Sequence, residues 1–315
     1  MYEIYSSKLK TDMIILKEET HRSQLEIELL NILSIPYKVI SFLMSTSIFL
    51  AISGSCKIFF SEVLFNTYNI NIIILTFLIT FSVYGLNKLT DLKEDVINNP
   101  DRAKTIKKIE IIFKFTVTLA FIFSMVLGFR IDILTLPVII FPLALGILYS
   151  VKFSKNFPRL KDITGVKNIT IALSWAVVST FLPVIYSSEK KSILIILIFY
   201  LFSIKSLINS ILFDIRDIKG DRENKIRTIP VFLGKDKTIK LLLILNSTLI
   251  PWIIFAYFWG FFYKYFSVLI FLILYGYWYI LYFSRDFIKI GKSMDLFVDG
   301  EFIIIIIFAL VFNKA

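Results

Sequence analysis

Ile193-Leu-Ile-Ile-Leu-Ile-Phe-Tyr-Leu-Phe202-Ser-Ile-Lys205-Ser206-Leu-Ile-Asn-Ser210-Ile-Leu-Phe-Asp214-Ile-Arg216-Asp217-Ile-Lys219-Gly220-Asp221 is the stretch that decides the fold. Its first part is nearly free of charge, and an apolar segment over 192–213 meets the ~20 residues that a helix needs to cross a ~30 Å hydrocarbon layer. It lacks the period-2 alternation of a barrel strand, and an isolated strand leaves its backbone polar groups unpaired in lipid, so the segment reads as a helix. Working outward, eight further apolar segments appear, at about 37–56, 70–87, 111–128, 131–149, 163–186, 238–259, 266–283 and 298–312. The turn at 128–132 is short enough to force a tight hairpin between the third and fourth. A hydrophobic share of 57% against 19% charged residues, with a mean hydropathy of +0.77, excludes a water-soluble globular enzyme. The expectation is an all-α, polytopic membrane protein of nine transmembrane helices.

The 35 Lys and Arg residues divide unevenly across that topology: 27 fall on one side and 6 on the other, with Lys114 and Lys205 inside helices. The positive-inside rule makes the richer side cytoplasmic, which puts the N-terminus inside and the C-terminus outside. The net charge of +11 is then a property of the loops rather than a sign of nucleic-acid binding. Residues 1–35 carry Glu18, Glu19, Glu26 and Glu28 among apolar positions. That pattern suits an amphipathic interfacial segment rather than a cleaved signal peptide, ahead of a transmembrane domain over 36–315. One cysteine, Cys56, and one histidine, His21, disfavour disulfide, zinc and haem chemistry.

Two stretches break the apolar pattern. Leaving the second segment, Asn87, Asp91 and Asp95 stand at i, i+4 and i+8 and share one helical face, which Thr80 and Thr76 extend back into the membrane. Leaving the sixth, Asp214, Asp217 and Asp221 stand at i, i+3 and i+7, with Ser210 and Ser206 on the same face. Carboxylates so spaced repel one another unless a positive charge lies between them. An all-oxygen donor set without Cys or His suits a hard ion such as Mg²⁺ shared with substrate phosphates. Nearby Arg102, Lys104, Lys152, Lys155, Arg216, Lys219, Arg222 and Arg227 supply the cations for a diphosphate. One acidic helix end is ordinarily a solvated face balanced by lysines. Two of them, four segments apart and each followed by a basic loop, point to a shared site.

These residues resemble the UbiA superfamily of intramembrane prenyltransferases. Its first motif, N-D-x-x-D-x-x-x-D, is matched by Asn87, Asp91 and Asp95, with Lys88 in place of the first aspartate. Its second, D-x-x-D-x-x-G-D followed by T-L-P-V-x-L-G, is matched by Asp214, Asp217, Gly220 and Asp221 and by the run from Thr228 through Pro230 to Gly234, with Lys225 where a glycine is usual. Asn98-Asn-Pro100-Asp-Arg102 resembles N-x-P-x-R, and Tyr149-Ser150 with Lys152 and Lys155 resembles a Y-S-x-x-x-K segment. The resemblance covers roughly 36–312. It implies a nine-helix bundle around a central cavity, with Mg²⁺ held by Asn87, Asp91, Asp95, Asp214, Asp217 and Asp221. The diphosphate of a prenyl donor would be bound by Arg102, Lys152, Lys155, Arg222 and Lys88, and long isoprenoid tails would enter from the lipid. The implied reaction is transfer of an isoprenyl group to a lipophilic acceptor within the membrane: an aromatic or quinone precursor, or a polar-lipid alcohol.

Other readings are weighed against this one. A related branch of the superfamily that modifies isoprenoids otherwise is compatible with the same motifs. A CDP-alcohol phosphotransferase also carries paired acidic motifs, but its D-G-x-x-A-R segment is absent. A transporter or binding protein calls for ionisable groups at mid-membrane rather than six metal-type ligands at one face. Tyr149 and Tyr282 recur at cytoplasmic helix ends as a weak internal echo, which interfacial anchoring explains equally well. Lys205, at about the middle of the sixth segment, is a functional candidate because charges there are costly, but it lies roughly opposite Asp214 around the helix, and a pairing or snorkelling role is at least an equal reading.

Overall fold

The computed structural model describes residues 38–92, 95–96, 99–150, 165–188, 190–223, 226–285 and 292–312, with the side chains of 146, 148–150, 292 and 312 excepted. The expected interfacial segment 1–35, Lys152, Lys155 and Lys225 lie outside the described residues. The chain divides into two units, Met1–Leu43, helical over its described residues, and Met44–Ala315, which carries everything discussed below. Among the described residues all regular structure is helical and there are no strands.

The principal helices are α1 (Ile48–Leu64), α2 (Ile70–Thr90), α3 (Pro100–Lys108), α4 (Glu110–Ile131), α5 (Thr135–Ser150), α6 (Val166–Tyr186), α7 (Ser192–Glu223), α8 (Ile229–Leu233), α9 (Lys235–Ser247), α10 (Leu249–Phe258), α11 (Phe266–Phe283) and α12 (Glu301–Phe312). Among the described residues six spans are long and apolar enough to cross a membrane, α2, α4, α6, α7, the α9–α10 pair and the stretch ending in α11, and a seventh if the bent pair Lys38–Ser45 and α1 is taken as one. The helix ends follow from local chemistry. Asn69 caps α2 by accepting from the Asn71 amide. Asn99 caps α3, with Pro100 entering the first turn and Lys107 and Lys108 closing the last. Thr135 ties the short 132–134 turn back to the Gly128 carbonyl at 2.7 Å, forming the expected α4–α5 hairpin.

Two apolar runs that hydropathy reads as continuous are interrupted. The first, expected over 37–56, breaks at Ser47, which has φ +65°, and α1 instead runs to Leu64. Three consecutive hydroxyl residues, Ser45 to Ser47, offer the backbone local alternatives to the helical ladder. The seventh run breaks at Thr248, because Pro251 has no amide hydrogen and its ring meets the carbonyl four residues back.

Packing brings α1, α2, α6, α7 and α12 around one cavity. Helix α6 packs most extensively on α7, α2 on α4 and α1, and α12 on α1. A Cβ on Gly54 would lie 2.6 Å from Thr80 Oγ1, so glycine at this position is what allows α1 and α2 to approach this closely. Phe60, Phe202 and Phe302 interlock where α1, α7 and α12 meet. On the outside, α4 exposes Ile111, Phe115, Ile122, Phe123 and Phe129. That surface is incompatible with water and matched to lipid.

Candidate active site

The two acidic helix ends meet at a cavity of about 280 Å³. Along the first, backbone hydrogen bonds run from Asp91 to Asn87, from Asp95 to Asp91 and from Asn99 to Asp95, so the three motif residues keep one helical face beyond the end of α2. Along the second, α7 continues unbroken for 32 residues to Glu223, which holds Asp214, Asp217 and Asp221 on the inward face. All six line the cavity, as do Thr76, Thr80, Ser206 and Ser210 from the predicted polar stripes. Stacked Tyr84 and Trp175, 5.4 Å apart at 6°, line the same space.

The carboxylates arrive with their own cations. Asp95 is buried and grips Arg102 through both oxygens, one from Nε at 2.8 Å. Asp214 accepts from Lys167 at 2.5 Å and from Asn168 at 2.8 Å. Arg216 donates to both oxygens of Asp217, at 2.8 and 3.1 Å, and turns its remaining terminal nitrogen to Asp295 at 2.7 Å. Asp221 Oδ2 is buried with no hydrogen-bond partner among the described residues, a costly state for an acceptor and one that suits a ligand-facing oxygen. No three carboxylates among the described residues converge as a ready-made metal cluster. The donor set nonetheless fits Mg²⁺: every group offers oxygen, Asp221 Oδ2 is orphaned, and Asp95, Asp214 and Asp217 would exchange a protein cation for a metal one.

The expected diphosphate ligands separate. Arg102 and Lys88 line the cavity. Lys88 is buried, and its ammonium donates to the Met44 carbonyl at 2.6 Å, so the departure from the family motif is taken up by the α1 side of the site. Arg222, Lys219, Lys104 and Arg227 are exposed and do not line it. Arg216 does. Residues unforeseen from the sequence complete the wall: Lys167 at the start of α6, Lys57 on α1, and Asp295 and Asp299 on a π-helical turn before α12, while Asn168, next to Lys167, holds Asp214 by its hydrogen bond. The spacing of Asp295 and Asp299 repeats that of Asp91 and Asp95, a signal present in the sequence. Lys205 lies outside the cavity lining, fully buried against Glu301 at 2.5 Å and donating to Tyr279 at 2.9 Å, the pairing expected of a charge at membrane depth.

Comparison with known proteins adds the following. The UbiA prenyltransferase family matches residues 42–296. Digeranylgeranylglyceryl phosphate synthase of Methanosphaera stadtmanae is 30% identical over 185 residues, 58% of this chain and 64% of that protein, so the match spans just under two thirds of the relative. A UbiA homologue from Archaeoglobus fulgidus bound to GPP and Mg²⁺ superposes with a TM-score of 0.63 at 14% identity, covering 87% of this chain and 98% of that one. The same homologue bound to DMAPP and Mg²⁺ gives 0.57 at 14% identity, over 86% and 99%. A structure from work on digeranylgeranylglyceryl phosphate synthase in membranes gives 0.56 at 17% identity, over 87% and 96%. At these identities the structural likeness speaks for the fold alone.

Proposed function

The chain belongs to the UbiA prenyltransferase family, and from that premise we propose that it transfers an isoprenyl group from a prenyl diphosphate to a lipophilic acceptor inside the membrane, with Mg²⁺ as cofactor. The observation that carries the reading is the meeting of both acidic helix ends at one cavity already furnished with Arg102, Lys167, Lys88 and Arg216. Asn87, Asp91, Asp95, Asp214, Asp217 and Asp221 would hold the metal. Bound there, Mg²⁺ supplies positive charge against the diphosphate oxygens.

The residues of the chain do the rest. Arg102 and Lys167, now paired with Asp95 and Asp214, are freed to hold phosphate oxygens when those carboxylates take new partners. They stabilise the charge that grows on the leaving group as the allylic C–O bond breaks and the electron pair departs with diphosphate. The Tyr84–Trp175 pair offers π faces to the allylic cation. The acceptor's nucleophilic atom then bonds to the allylic carbon and releases a proton. Thr76, Thr80, Ser206 and Ser210 line the approach with hydroxyls, which suits a polar acceptor head. A polar-lipid alcohol is favoured over an aromatic acid by the likeness to digeranylgeranylglyceryl phosphate synthase.

The nine apolar segments of the sequence support nine transmembrane helices in all, and the 27-to-6 charge split supports an N-terminus and a site facing the cytoplasm with the C-terminus outside. The test of function is to supply purified protein with labelled geranylgeranyl diphosphate, Mg²⁺ and either geranylgeranylglyceryl phosphate or 4-hydroxybenzoate, then identify the product by mass. A labelled ether lipid from the first acceptor is expected. Diphosphate release without any prenylated product would overturn the transferase reading.

A further inference from the structure

The π-helical turn Asp295–Asp299 is fastened by its backbone to three helices. Ser53 of α1 donates to the Asp299 carbonyl, Asn209 of α7 donates to that of Val298 at 3.3 Å, and Tyr275 of α11 donates to that of Phe297 at 2.9 Å. Asn209 is itself oriented by the Tyr279 hydroxyl at 3.1 Å. Gly300 closes the turn: a Cβ there would lie 2.1 Å from the Leu296 carbonyl oxygen, so no other residue fits without moving backbone. A segment tied this firmly presents its one cavity-facing ion pair at a fixed place. That pair is Asp295 with Arg216, and Arg216 divides its guanidinium between Asp295 and Asp217 while its carbon sits 4.7 Å from the Phe213 ring centroid.

A guanidinium shared by two carboxylates can leave one while it keeps the other. We infer that Asp295 is a positioning residue for the diphosphate site: it retains Arg216 at the cavity wall when the oxygens of Asp217 pass to the metal. The inference rests on the prenyl diphosphate reading above. Without Asp295, Arg216 has Asp217 as its only carboxylate partner among the described residues and competes with the metal for it. Second-sphere partners of this kind are worth ~10–100-fold in metal affinity.

The test is calorimetric titration of the full-length protein in detergent with a non-hydrolysable geranylgeranyl diphosphate analogue across a Mg²⁺ series, with melting temperatures measured alongside. Asp295→Asn should raise the Mg²⁺ concentration for half-maximal binding by about ten-fold or more, and Asp295→Glu should restore part of the loss. In an Arg216→Gln background, Asp295→Asn should add little, because the partner through which it acts is gone. Wild-type Mg²⁺ dependence in Asp295→Asn, or a full additional loss in the Arg216→Gln background, overturns the inference. Should Asp295→Asn fail to fold, Asp295→Glu decides: a partial loss that vanishes in the Arg216→Gln background supports the positioning role, and any other result overturns it. Failure of the wild-type protein to bind the analogue at any Mg²⁺ concentration instead removes the diphosphate reading itself.

Discussion

Replacing Glu301 by leucine isolates a charge at membrane depth. Lys205 and Glu301 are both fully buried and lie 2.5 Å apart, joining α7 to the start of α12. With the carboxylate gone, the ammonium keeps the Tyr279 hydroxyl as its hydrogen-bond acceptor among the described residues. Removing one member of a buried pair costs ~3–5 kcal/mol, because the survivor stays desolvated without its counter-charge. At roughly 2 °C per kcal/mol for a chain of this size, the melting temperature should fall by about 6–10 °C. Tryptophan fluorescence of the purified protein in detergent reads the transition directly. Lys114→Ala is the control: its i,i+4 pair with Glu110 is exposed, at 59% and 36%, and solvent screens such pairs so that they contribute little. The double variant Lys205→Met/Glu301→Leu removes both charges together and should recover most of the loss, since apolar replacement of a buried pair is often neutral or stabilising. If Glu301→Leu melts no lower than Lys114→Ala, or the double variant melts as low as the single, the ion pair does not hold α7 and α12 together as argued.

Three further outcomes follow from the site. Calorimetry with a non-hydrolysable prenyl diphosphate analogue should detect binding in Mg²⁺ and almost none in excess EDTA; equal affinity in both would refute the metal-held diphosphate. Asp91→Asn and Asp217→Asn should each lower turnover by ~10² or more as electrostatic stabilisation is lost, whereas Lys88→Ala, which breaks the 2.6 Å bond to Met44, should cost less and chiefly in donor affinity; the reverse order would transfer the essential role to Lys88. Cysteines at Asn99 and Asn224, introduced in a Cys56→Ser background, should react with an impermeant thiol reagent only in inside-out vesicles, and labelling of either from outside would separate the two acidic motifs.

Helix α7 was legible almost entirely from its residues, because an apolar run long enough to span and a carboxylate every three or four positions are both local patterns. The stripe of Thr76, Thr80 and Asn87 was legible for the same reason. Ser47 and Thr248 were not: hydropathy averages over a window, whereas a helix breaks at one φ angle or one missing amide. The partner of Lys205 lies nearly a hundred residues away, so the need for a counter-charge was readable but Glu301 as its source was not. Arg216 and Arg222 look alike in the sequence, six residues apart on one helix. They lie about 120° apart around it, and Arg216 meets Asp217 and Asp295 at the cavity while Arg222 stays exposed; the Asp295 partner, nearly eighty residues away, was not legible.

The ion pairs made by three of the motif carboxylates bear on biogenesis. A polytopic chain enters the bilayer segment by segment, and its acidic helix ends must come together before any substrate is present. Asp95, Asp214 and Asp217 each meet an arginine or lysine of the same chain, which offsets part of the repulsion between the acidic helix ends as the helices assemble. The pairs that draw the two acidic helix ends together are thus encoded in the same chain that carries the carboxylates, so a substitution at Arg102, Lys167 or Arg216 bears on assembly of the bundle as well as on the site.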